Sequence, residues 1–540
     1  MRKYVFVVGG VMSGVGKGVA SSSIARILKD GGYRVTAVKI DPYVNVDAGT
    51  MNPTEHGEVF VLDDGTECDQ DMGNYERFLH TNLSGYNYMT TGSVYLSVIQ
   101  KERNLEYHGK CVEVVPHVPL AVLDTINGAL KHTKSEIVVV EIGGTIGEYQ
   151  NLIFLEAVRM LKQKHPDDVA LVLVSYLPLL NKDNELKTKP TQYAVRTLNS
   201  AGLQPDIILA RSAQSIDDKR KEKIAFNCNI PKHSVVAAPD VKNIYEIPVN
   251  LRKGKIDMLL LKKLGLRKRE NASAQWRKFA LSLDGVQKTV RIGIVGKYFS
   301  SGSFVLADSY RSVIEALRHA AHQEKIKLEL DWIDSEQVQK KPSLIGQYDG
   351  ILVPGGFGAR GIEGKIKAIE YARTHKIPYF GLCYGMQLAV VEFTRNVVGL
   401  KKAHTTEADP KTPYPVIAVL PEQKEYLALK KYGATMRLGG YPAVLQKNTI
   451  AREAYGKPNI RERHRHRYEV NPDYLKVLAD AGLVISGISP SQELAEIIEL
   501  PRTVHPFFVG TQFHPELTSR PLEPHPLFCA FMKAAKRESL

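Results

Sequence analysis

The sequence is poor in cysteine and has no long apolar run. Its five cysteines lie far apart among 540 residues, and no two form a Cys-x-x-Cys pair. This spacing argues against a zinc site and a disulfide framework, and it favours a reducing compartment. No segment approaches the roughly 20 apolar residues of a membrane-spanning helix, and the start MRKYVFVVGG lacks the longer apolar core of a signal peptide. We therefore expect a soluble, cytoplasmic protein without a membrane partner.

Tandem repeats, low-complexity tracts and basic runs interleaved with aromatic residues are also missing. A repeat architecture is therefore excluded. The formal net charge of +14 suits nucleic acid, a membrane surface, polyanionic small molecules or a merely solvated surface. A solvated surface is the favoured interpretation of this charge. Among ligands, nucleotides rank well above nucleic acid, and because no basic-aromatic platform is present we expect no nucleic-acid partner.

Apolar runs typical of buried strands alternate with amphipathic stretches in both halves of the chain. Runs such as YVFVV, EIVVVEI and VALVLVSYL recur up to about residue 260, and VRIGIVGKY resumes the pattern after a charged stretch. This rhythm indicates βα units on parallel sheets, and one core seldom serves so long a chain. We predict two open, doubly wound α/β domains, 1–265 and 290–540. The basic linker, 266–289, is expected to be a solvated connector, with an interface as the alternative.

A glycine-rich loop joins the first strand to a helical stretch. Residues 9–18 read GGVMSGVGKG, and VASSSIARILKD follows. In such loops backbone N–H groups point at phosphate oxygens, the helix N-terminus adds its dipole, and a lysine, here Lys17, adds a point charge. A plain tight turn needs no lysine and no helix, so we predict a phosphate-binding loop. It departs from the common P-loop by an extra residue before Gly16 and by Gly18, where Ser or Thr normally holds magnesium.

Without a hydroxyl after Lys17, magnesium needs carboxylates from elsewhere in the chain. Glu141 is the stronger candidate, because it lies at the end of EIVVVEI, where α/β sheets bind ligands. Asp71 in CDQDMG is the second candidate. An aspartate in a polar segment, like Asp71 or its neighbour Asp69, often caps a turn instead.

A short basic segment, Lys187-Thr188-Lys189-Pro190-Thr191-Gln192, combines two cations with two hydroxyl groups. Its proline keeps it from being plain helix. The segment is suited either to gripping a second triphosphate or to a solvated loop.

In the second half, a strand runs into Gly381-Leu382-Cys383-Tyr384-Gly385. This G-x-C-x-G pattern is typical of a nucleophile elbow, whose small neighbours permit the strained turn that exposes a thiol. Far downstream, His514 is followed two residues later by Glu516, close enough to orient the imidazole. Singly, such residues are common in protein cores. Together they predict a Cys-His-Glu triad.

Two more motifs complete the predicted chemistry. The loop VPGGFG at 353–358 offers backbone N–H groups for an oxyanion hole, or is a tight turn. Thiolate attack on the amide carbon of glutamine, proton donation by His514 to ammonia, and thioester hydrolysis would then follow. Arg467 in RHRHR could pair with the glutamine carboxylate. The alternative for this basic cluster is a solvated loop, and a metal site is disfavoured there.

Ten short strings follow one another in the order found in the CTP synthase family, which the chain resembles over nearly its whole length. They are GGVxSGxGKG, KIDPYxNxDAGTM, HGEVF, EIGGTIG, KTKPTQ, VPGGFG, GLCYGMQ, TMRLG, ERHRHRYEVN and QFHPE. The resemblance implies a P-loop-like amidoligase domain followed by a class I glutaminase domain. It also implies that ATP phosphorylates the 4-oxygen of UTP, and that ammonia from glutamine then displaces phosphate to give CTP.

The resemblance implies roles for individual positions. Implied ATP contacts are Gly14, Val15, Gly16, Lys17, Gly18, Val19, Asp71, Asp240 and Val241. Implied UTP or CTP contacts are Ser13, Glu148, Tyr149, Gln150, Lys187, Thr188, Lys189, Pro190, Thr191, Gln192 and Lys223. Implied glutamine contacts are Gly356, Tyr384, Gly385, Met386, Gln387, Glu407 and Arg467. Asp71 and Glu141 are implied magnesium ligands, and Cys383, His514 and Glu516 are the implied triad.

The family further implies a role for Lys39 in phosphoryl transfer and for His56 in an ammonia passage, which would keep ammonia from being protonated in water. It implies GTP as allosteric activator near TMRLG, CTP as feedback inhibitor, and a homotetramer. Three segments depart from the usual pattern. EYQ at 148–150 stands where many members have Asp-Ile-Glu, Tyr384 replaces Leu, and Glu113 replaces Gln.

Two other functions were weighed against this prediction. A cobyric acid synthase-like enzyme also joins a phosphate-binding domain to a glutaminase-like domain, but that group generally lacks a complete triad. A nucleotide-controlled filament scaffold would have no use for an elbow cysteine with a matched His-Glu pair. Filament formation in addition to catalysis stays open.

Overall fold

A computed structural model describes residues 2–180, 185–269, 274–281, 288–296, 307–419, 436–491 and 493–536. The chain divides into two compact units. The first comprises Met1–Ala48 and Asp71–Ser282, and the second comprises Gly49–Gln70 and Leu283–Leu540. The division differs from the predicted boundaries in two respects: the short segment 49–70 belongs with the second half, and the predicted linker up to residue 282 belongs with the first unit. No helix in the described parts of the chain is both long and apolar enough to span a bilayer.

The N-terminal half alternates strands and helices. The strands are β1 (Lys3–Gly9), β2 (Val35–Asp41), β3 (Val59–Val61), β4 (Glu67–Asp69), β5 (Tyr88–Thr90), β6 (Ile137–Ile142), β7 (Val169–Tyr176), β8 (Leu179–Leu180), β9 (Glu185–Leu186), β10 (Ile207–Ser212) and β11 (Val235–Pro239). The helices are α1 (Lys17–Asp30), α2 (Pro53–His56), α3 (Asp71–Leu79), α4 (Thr91–Arg103), α5 (Val114–His132), α6 (Leu152–Lys164), α7 (Lys189–Ser200), α8 (Asp218–Asn227), α9 (Ile247–Lys253), α10 (Ile256–Lys263) and α11 (Ala274–Leu281).

Among the described residues of the first unit, seven parallel strands form one sheet in the order β11-β10-β7-β1-β6-β2-β5. β1 lies in the middle and is buried along its whole length, as expected for a parallel strand covered on both faces. The carboxyl ends of β1, β2 and β6 meet at one edge of the sheet. The predicted parallel α/β architecture of this half is therefore confirmed.

Helix α11 falls within the predicted linker, and it is not a solvated connector. Its Trp276 is 1% exposed and donates a 3.1 Å hydrogen bond from Nε1 to the carbonyl oxygen of Tyr245. The guanidinium of Arg26 lies 4.6 Å from the Trp276 ring centroid. The expectation of a fully solvated linker was wrong for this helix, because two large aromatic side chains, Trp276 and Phe279, outweigh the charged residues around them.

The second half has a similar alternation with more strands. They are β12 (Thr289–Gly296), β13 (Lys327–Asp334), β14 (Gly350–Val353), β15 (Tyr379–Leu382), β16 (Ala403–Thr405), β17 (Tyr414–Val419), β18 (Arg437–Leu445), β19 (Asn459–His466), β20 (Tyr468–Val470), β21 (Val484–Ile488), β22 (Ala495–Glu499) and β23 (Phe508–Thr511). The helices are α12 (Arg311–Gln323), α13 (Ser335–Lys340), α14 (Ile362–Thr374), α15 (Tyr384–Phe393), α16 (Ile450–Tyr455), α17 (Leu475–Asp480) and α18 (Pro526–Ala535).

In the described part of the second unit, nine strands form a mixed sheet in the order β13-β12-β14-β15-β23-β22-β21-β18-β19. The strands from β13 to β23 are parallel, whereas β22, β21, β18 and β19 extend the sheet by antiparallel pairs. A doubly wound core therefore carries an antiparallel extension. β16, β17 and β20 form a smaller sheet.

The segment 49–70 adds a hairpin to this second unit. β3 and β4 pair in antiparallel fashion, and three arginines of β19 contact the hairpin. Arg463 Nη1 donates to the carbonyl oxygen of Val61 over 3.1 Å, and Arg465 Nε lies 2.8 Å from Glu67 Oε1. Arg461 pairs with Asp63 at 3.1 Å. These contacts explain why the segment belongs with the second half of the chain.

Candidate functional site

The loop between β1 and α1 has the backbone conformation of a phosphate cradle. Gly14 and Gly16 have φ angles of 68° and 75°, which glycine adopts without strain. Helix α1 begins directly afterwards at Lys17, whose Nζ donates a 2.7 Å hydrogen bond to the carbonyl oxygen of Gly144. Burial lowers the pKa of Lys17, and the nearby Glu141 carboxylate opposes that shift. The helix N-terminus and the lysine can thus act together on a phosphate group.

Asp71 fills the space beside Gly18. A Cβ atom added to Gly18 would lie 1.9 Å from Asp71 Oδ1, a distance no side chain tolerates. This contact gives the physical reason for glycine where the common loop has Ser or Thr. The Asp71 carboxylate therefore occupies the space that a side chain at position 18 would need.

Lys39 brings three carboxylates together at the ends of β2 and β6. Its Nζ lies 2.6 Å from Asp71 Oδ2, 3.0 Å from Glu141 Oε1 and 3.6 Å from Asp41 Oδ1. Burial raises the pKa of Asp71, but Lys39 outweighs burial and the net shift is downward. Burial raises the pKa of Glu141, which also accepts a hydrogen bond from Tyr75.

Asp71 and Glu141 form a donor set that suits magnesium. Both carboxylates contact one ammonium group, so the site already holds a cation between them. Within the described residues there is no group of three or more potential ligands that could hold a metal by itself. Magnesium normally takes only one or two carboxylates together with substrate phosphates, and the adjoining loop can hold those phosphates.

An apolar cavity of about 370 Å³ adjoins the loop. Val19, Asp240 and Val241, all predicted ATP contacts, line it together with Leu251 and other apolar side chains. Arg211 also lines the cavity. Its Nη1 donates a hydrogen bond of 2.9 Å to the carbonyl oxygen of Val15, and its guanidinium forms an ion pair with Asp240. The sequence analysis missed Arg211. Its position at the end of the strand run PDIILA was the available signal.

The predicted UTP and CTP positions have mixed environments. Thr191 is fully buried and shares a 2.8 Å hydrogen bond with Ser175, so its hydroxyl helps to fix α7. Thr188 is buried and accepts from Gln192 Nε2 over 3.2 Å, and Lys187 pairs with Glu185. In contrast, five of the predicted UTP and CTP contacts are exposed: Ser13, Tyr149, Gln150, Lys189 and Lys223. Pro190 lies in the first turn of α7, a favoured place for proline.

The turn at Glu148 is ordered by its own side chains. Thr145 donates to Glu148 Oε1 over 2.5 Å, and Gln150 Nε2 donates to Glu148 Oε2 over 2.9 Å. Tyr149 is 91% exposed. Glu148 is thus held in place while the ring of Tyr149 is presented to the surroundings.

Cys383 lies at the predicted strained turn between β15 and α15. Its φ and ψ angles are 49° and −97°, a region that costs a non-glycine residue about 1–3 kcal/mol. A Cβ atom on Gly385 would lie 2.2 Å from the carbonyl oxygen of Val353, and one on Gly381 would lie 2.5 Å from the Tyr379 hydroxyl. The two glycines are therefore required by close backbone approach. The elbow geometry is confirmed.

His514 and Glu516 complete the thiol site. Nδ1 of His514 lies 2.8 Å from Glu516 Oε1. Burial opposes the protonated form, yet Glu516 and Cys383 outweigh it and raise the pKa of His514 well above its usual value. Within the described residues the His514 Nε2 atom makes no hydrogen bond, so it is available on the side of Cys383. Thiol, imidazole and carboxylate thus form a triad within one unit.

The loop after β14 lies close to both His514 and Cys383. A Cβ atom on Gly355 would lie 2.8 Å from His514 Cε1 and 3.8 Å from Cys383 Cβ. The Tyr384 hydroxyl donates a hydrogen bond of 3.0 Å to the Gly358 carbonyl oxygen. The Gly358 N–H in turn donates a hydrogen bond of 2.7 Å to Glu407 Oε1. Two predicted glutamine contacts therefore hold this loop in place. The loop suits the predicted oxyanion hole.

The other predicted glutamine contacts surround the elbow. Gln387 is 2% exposed, and its Nε2 donates a hydrogen bond of 2.8 Å to the Tyr468 carbonyl oxygen. Met386 is fully buried, so its side chain belongs to the core. Arg467 is half-buried at the turn between β19 and β20. Gly356 is also half-buried.

Gln512 is a functional candidate that the sequence analysis missed. It is fully buried, and its Nε2 lies 3.7 Å from the Cys383 sulfur. Its backbone N–H donates a hydrogen bond of 2.8 Å to the Glu496 carbonyl oxygen. Gln512 precedes Phe513 in the same QFHPE string that identified His514, and this proximity was the available signal.

The RHRHR segment is not a solvated loop, as its alternative interpretation held, because its first four residues form the second half of strand β19. Arg463 and Arg465 contact the hairpin, whereas His464 and His466 are buried on the other face, as strand alternation requires. The two imidazoles are 2.8 Å apart, and burial lowers both pKa values well below the usual range. Arg437 lies 2.6 Å from Glu496 in the same cluster.

Two further predicted positions can be located only in part. His56 ends the short helix α2 in the segment 49–70. Thr435, which begins the TMRLG string, lies outside the described residues, whereas Arg437 begins β18.

Comparison with known proteins gave matches over both halves. The family described as "CTP synthase N-terminus" matches residues 3–266, and "Glutamine amidotransferase class-I" matches 305–534. A CTP synthase of Thermococcus gammatolerans is 49% identical over 539 residues, 99% of each chain. A CTP synthase of Carboxydothermus hydrogenoformans is 50% identical over 538 residues, again 99% of each chain. A solved glutaminase domain of a Trypanosoma brucei CTPS with bound acivicin is 37% identical, with a TM-score of 0.42, and it covers 47% of this chain and 96% of that one.

Proposed function

Because this chain belongs to the CTP synthase family, we propose that it aminates UTP to CTP with ammonia from glutamine and with consumption of ATP. Glutamate, ADP and phosphate are the other products, and the step belongs to pyrimidine nucleotide biosynthesis. The observation that carries this function is the presence, in one chain, of a phosphate loop with paired carboxylates and of a complete thiol-imidazole-carboxylate site. Neither rival function accounts for both sites.

In the glutaminase reaction, His514 accepts the proton of the Cys383 thiol, and the thiolate attacks the amide carbon of glutamine. The carbonyl oxygen then becomes an oxyanion, for which N–H groups of the 355–358 loop provide donors. His514 returns the proton to the leaving ammonia, and a water molecule, deprotonated by His514, hydrolyses the thioester to glutamate. Glu516 keeps the imidazole oriented, which its 2.8 Å contact supports.

Glutamine recognition is assigned to residues around the elbow. We propose that the Arg467 guanidinium and the Glu407 carboxylate meet the charged α-carboxylate and α-amino groups of glutamine. Gly356, Tyr384, Gly385, Met386 and Gln387 form the remaining contacts, of which the buried Met386 takes part through its backbone.

In the synthetase reaction, we propose that residues 14–19 bind the ATP phosphates and that Asp240 and Val241 border the adenine. The apolar cavity beside the loop supports this placement. Asp71 and Glu141 would hold magnesium, which neutralises charge on the phosphates during phosphoryl transfer. Lys39, within 3.0 Å of both carboxylates, would stabilise the phosphoryl group as it passes to the 4-oxygen of UTP. Ammonia then displaces phosphate from the phosphorylated UTP.

UTP and the inhibitor CTP are assigned to one set of positions. Lys187, Lys189 and Lys223 would bind the triphosphate, and the turn at 148–150 would contact the ring. Ser13, Thr188, Pro190, Thr191 and Gln192 complete this set. The exposed Lys189 and Lys223 and the ordered Glu148 turn support the assignment.

Regulation and assembly follow the family pattern in our proposal. GTP activates the glutaminase near residues 435–439, CTP inhibits, His56 borders an ammonia passage, and the enzyme is a cytoplasmic homotetramer. Exposed apolar side chains on α4 and α5, among them Ile99, Val114 and Leu120, support self-association. We assign 1–265 to the amidoligase domain, 266–289 to the linker and 290–540 to the glutaminase domain, and the two family matches support these limits.

The direct test is to mix the purified protein with ATP, magnesium, UTP and glutamine, with and without GTP. Conversion is followed by the change in absorbance from uracil to cytosine. CTP formation that GTP accelerates is the expected result. If glutaminase activity is present but no CTP forms even with an ammonium salt, the assignment of UTP as acceptor fails.

A further inference from the structure

A second and larger groove lies in the first unit, along the outer edge of β11. It has a volume of about 1210 Å³ and is bounded by β11, by the ends of α8 and α9, and by α10. β11 is the last strand of its sheet, and its outer edge pairs with no strand in the described part of the chain. None of the positions predicted from the sequence lies in this groove.

The groove, called here the β11 groove, is strongly basic. Among the described residues, Asp218 is the one carboxylate that lines the groove. The six lysines that line it are Lys221, Lys232, Lys253, Lys255, Lys262 and Lys268. Lys232 is already paired with Glu222 at 2.6 Å. In contrast, Lys255, Lys262 and Lys268 are exposed, and none of them forms an ion pair with a described carboxylate. The groove therefore carries uncompensated positive charge.

The floor of the groove is apolar. Val235, Val236 and Leu261 are buried beneath it, and Met258 is 51% exposed at its side. Aliphatic side chains and an unbranched methionine suit apolar side chains of a ligand. A phosphate chain alone would gain nothing from such a floor.

The backbone of β11 can also bind a ligand. The Asp240 N–H donates to the Ser212 carbonyl oxygen of β10. Because successive N–H groups of a strand alternate between its two sides, the Ala237 N–H points to the open edge. An extended chain laid beside β11 would therefore find backbone partners there.

From the charge, the apolar floor and the open edge, we propose that the β11 groove binds an extended acidic peptide of a partner protein. Acidic side chains on one face would meet Lys255, Lys262 and Lys268, and apolar side chains on the other would lie on Met258 and the valines. Nucleic acid suits the groove less well, because the described residues that line it include neither arginine nor Phe, Tyr or Trp.

The β11 groove is next to the nucleotide cavity but differs from it. Pro239 and Asn250 line both spaces. The lysines named above line the β11 groove alone. A peptide in the β11 groove should therefore bind whether or not ATP occupies the loop.

The test uses the full-length protein and a fluorescent peptide of about ten residues in which Glu and Val alternate, a length that spans a strand. Anisotropy should show saturable binding that weakens as salt rises. A peptide with Gln in place of Glu should bind about tenfold more weakly or worse. N-methylation of alternate peptide nitrogens should abolish binding in one register and spare it in the other, because only one set of N–H groups faces β11.

Variants locate the site. The triple change Lys255→Glu, Lys262→Glu and Lys268→Glu should weaken peptide binding about tenfold or more. The matched control, Lys131→Glu, Lys134→Glu and Lys164→Glu, reverses three exposed lysines elsewhere in the first unit and should leave binding within about twofold. Melting temperatures of both variants show that they are folded.

Three outcomes would overturn the proposal. Equal losses in the two triple variants would mean non-specific charge attraction. Displacement of the peptide by ATP would make the groove part of the nucleotide site. Tighter binding of a single-stranded oligonucleotide or of inorganic polyphosphate than of the peptide would assign the groove to another class of ligand. None of these results depends on CTP formation, so the proposed function is tested separately.

Discussion

The hydroxyl of Tyr384 donates a hydrogen bond of 3.0 Å to the carbonyl oxygen of Gly358. Tyr384 directly follows Cys383, and Gly358 ends the loop whose Gly355 lies close to both Cys383 and His514. The bond therefore fixes the candidate oxyanion loop to the helix that begins at the elbow. Many relatives are expected to have Leu at this position, so this link is a feature of the present chain.

We expect Tyr384→Phe to lower kcat/KM for glutamine hydrolysis about fivefold, since one hydrogen bond contributes about 1 kcal/mol. Synthesis of CTP from ammonium should be unchanged, because that reaction does not use the thiol site. Tyr474→Phe, which alters a half-buried tyrosine of the same unit, is the control. A loss in ammonium-dependent synthesis would show that Tyr384 acts through general stability instead.

The same elbow illustrates what sequence can reveal. The glycines around Cys383, the triad spacing and the strand rhythm are local patterns. The structure confirms the elbow and the strands, whereas the catalytic triad stays a prediction. By contrast, the hairpin at 59–69 could not be assigned to the second unit from sequence. The contact that holds it, from Arg463 to Val61, joins residues 402 positions apart, and no local period records such a pairing.

Local patterns also could not predict which residues in charged stretches of the sequence are buried. RHRHR has the composition of a solvated loop, but its alternation matches a strand whose arginines meet an acidic hairpin. Trp276 lies in a charged stretch and is nevertheless buried against Tyr245 and Arg26. In both cases a tertiary partner decides the structure, and that partner lies far away in sequence.

Separate loss of the two half-reactions is the central prediction for the active sites. Cys383→Ala should reduce glutamine-dependent synthesis by about 10⁴-fold or more but spare synthesis from ammonium. Lys17→Ala should remove both, since ammonia from either source can react only with UTP that ATP has phosphorylated. Steady-state assays with each nitrogen source measure this. Glutamine use retained by Cys383→Ala would refute the nucleophile assignment.

Gly18 should tolerate no side chain, because a Cβ atom would lie 1.9 Å from Asp71 Oδ1. Gly18→Ala should push the carboxylate aside and lower synthesis from either nitrogen source by about tenfold or more. Glutaminase activity should persist. The control is Gly128→Ala on α5, where the nearest atom would be 3.7 Å away. Unchanged ATP use in Gly18→Ala would contradict the proposed role of Asp71.

The raised pKa of His514 predicts a shift in the pH profile. Burial is the largest influence on the pKa of His514 and lowers it. The Glu516 carboxylate is the next largest, raises the pKa, and keeps the imidazole protonated to higher pH. His514 must donate a proton to ammonia, so activity falls as pH rises through its pKa. In Glu516→Gln the carboxylate charge is lost, the pKa of His514 falls, and the alkaline limb of glutaminase kcat/KM should move to lower pH. The exposed Glu453→Gln is the control. An unmoved limb would mean that another group controls the alkaline side.

Glu469 should make stability depend on pH. Burial raises the pKa of Glu469 to about 8, although Arg437 opposes the shift and Glu496 adds to it. His466 is the remaining titratable neighbour, with Nδ1 at 3.5 Å. Between the ordinary carboxyl pKa of 4.5 and the folded value, the native state holds a proton that the unfolded chain lacks. Stability from this group is therefore present at low pH and is lost as pH rises through that interval.

Glu469→Gln tests this directly, because the amide resembles the protonated carboxyl group and cannot ionise. Between pH 6 and pH 9, the advantage of the variant over the unmodified protein should grow by about 1.4 kcal/mol for each pH unit as pH rises towards the folded pKa of about 8, and should level off above it. Denaturant midpoints at a series of pH values give the comparison, with the exposed Glu453→Gln as control. If the difference between Glu469→Gln and the unmodified protein stays constant across this range, Glu469 is ionised in the folded state and Arg437 outweighs its burial.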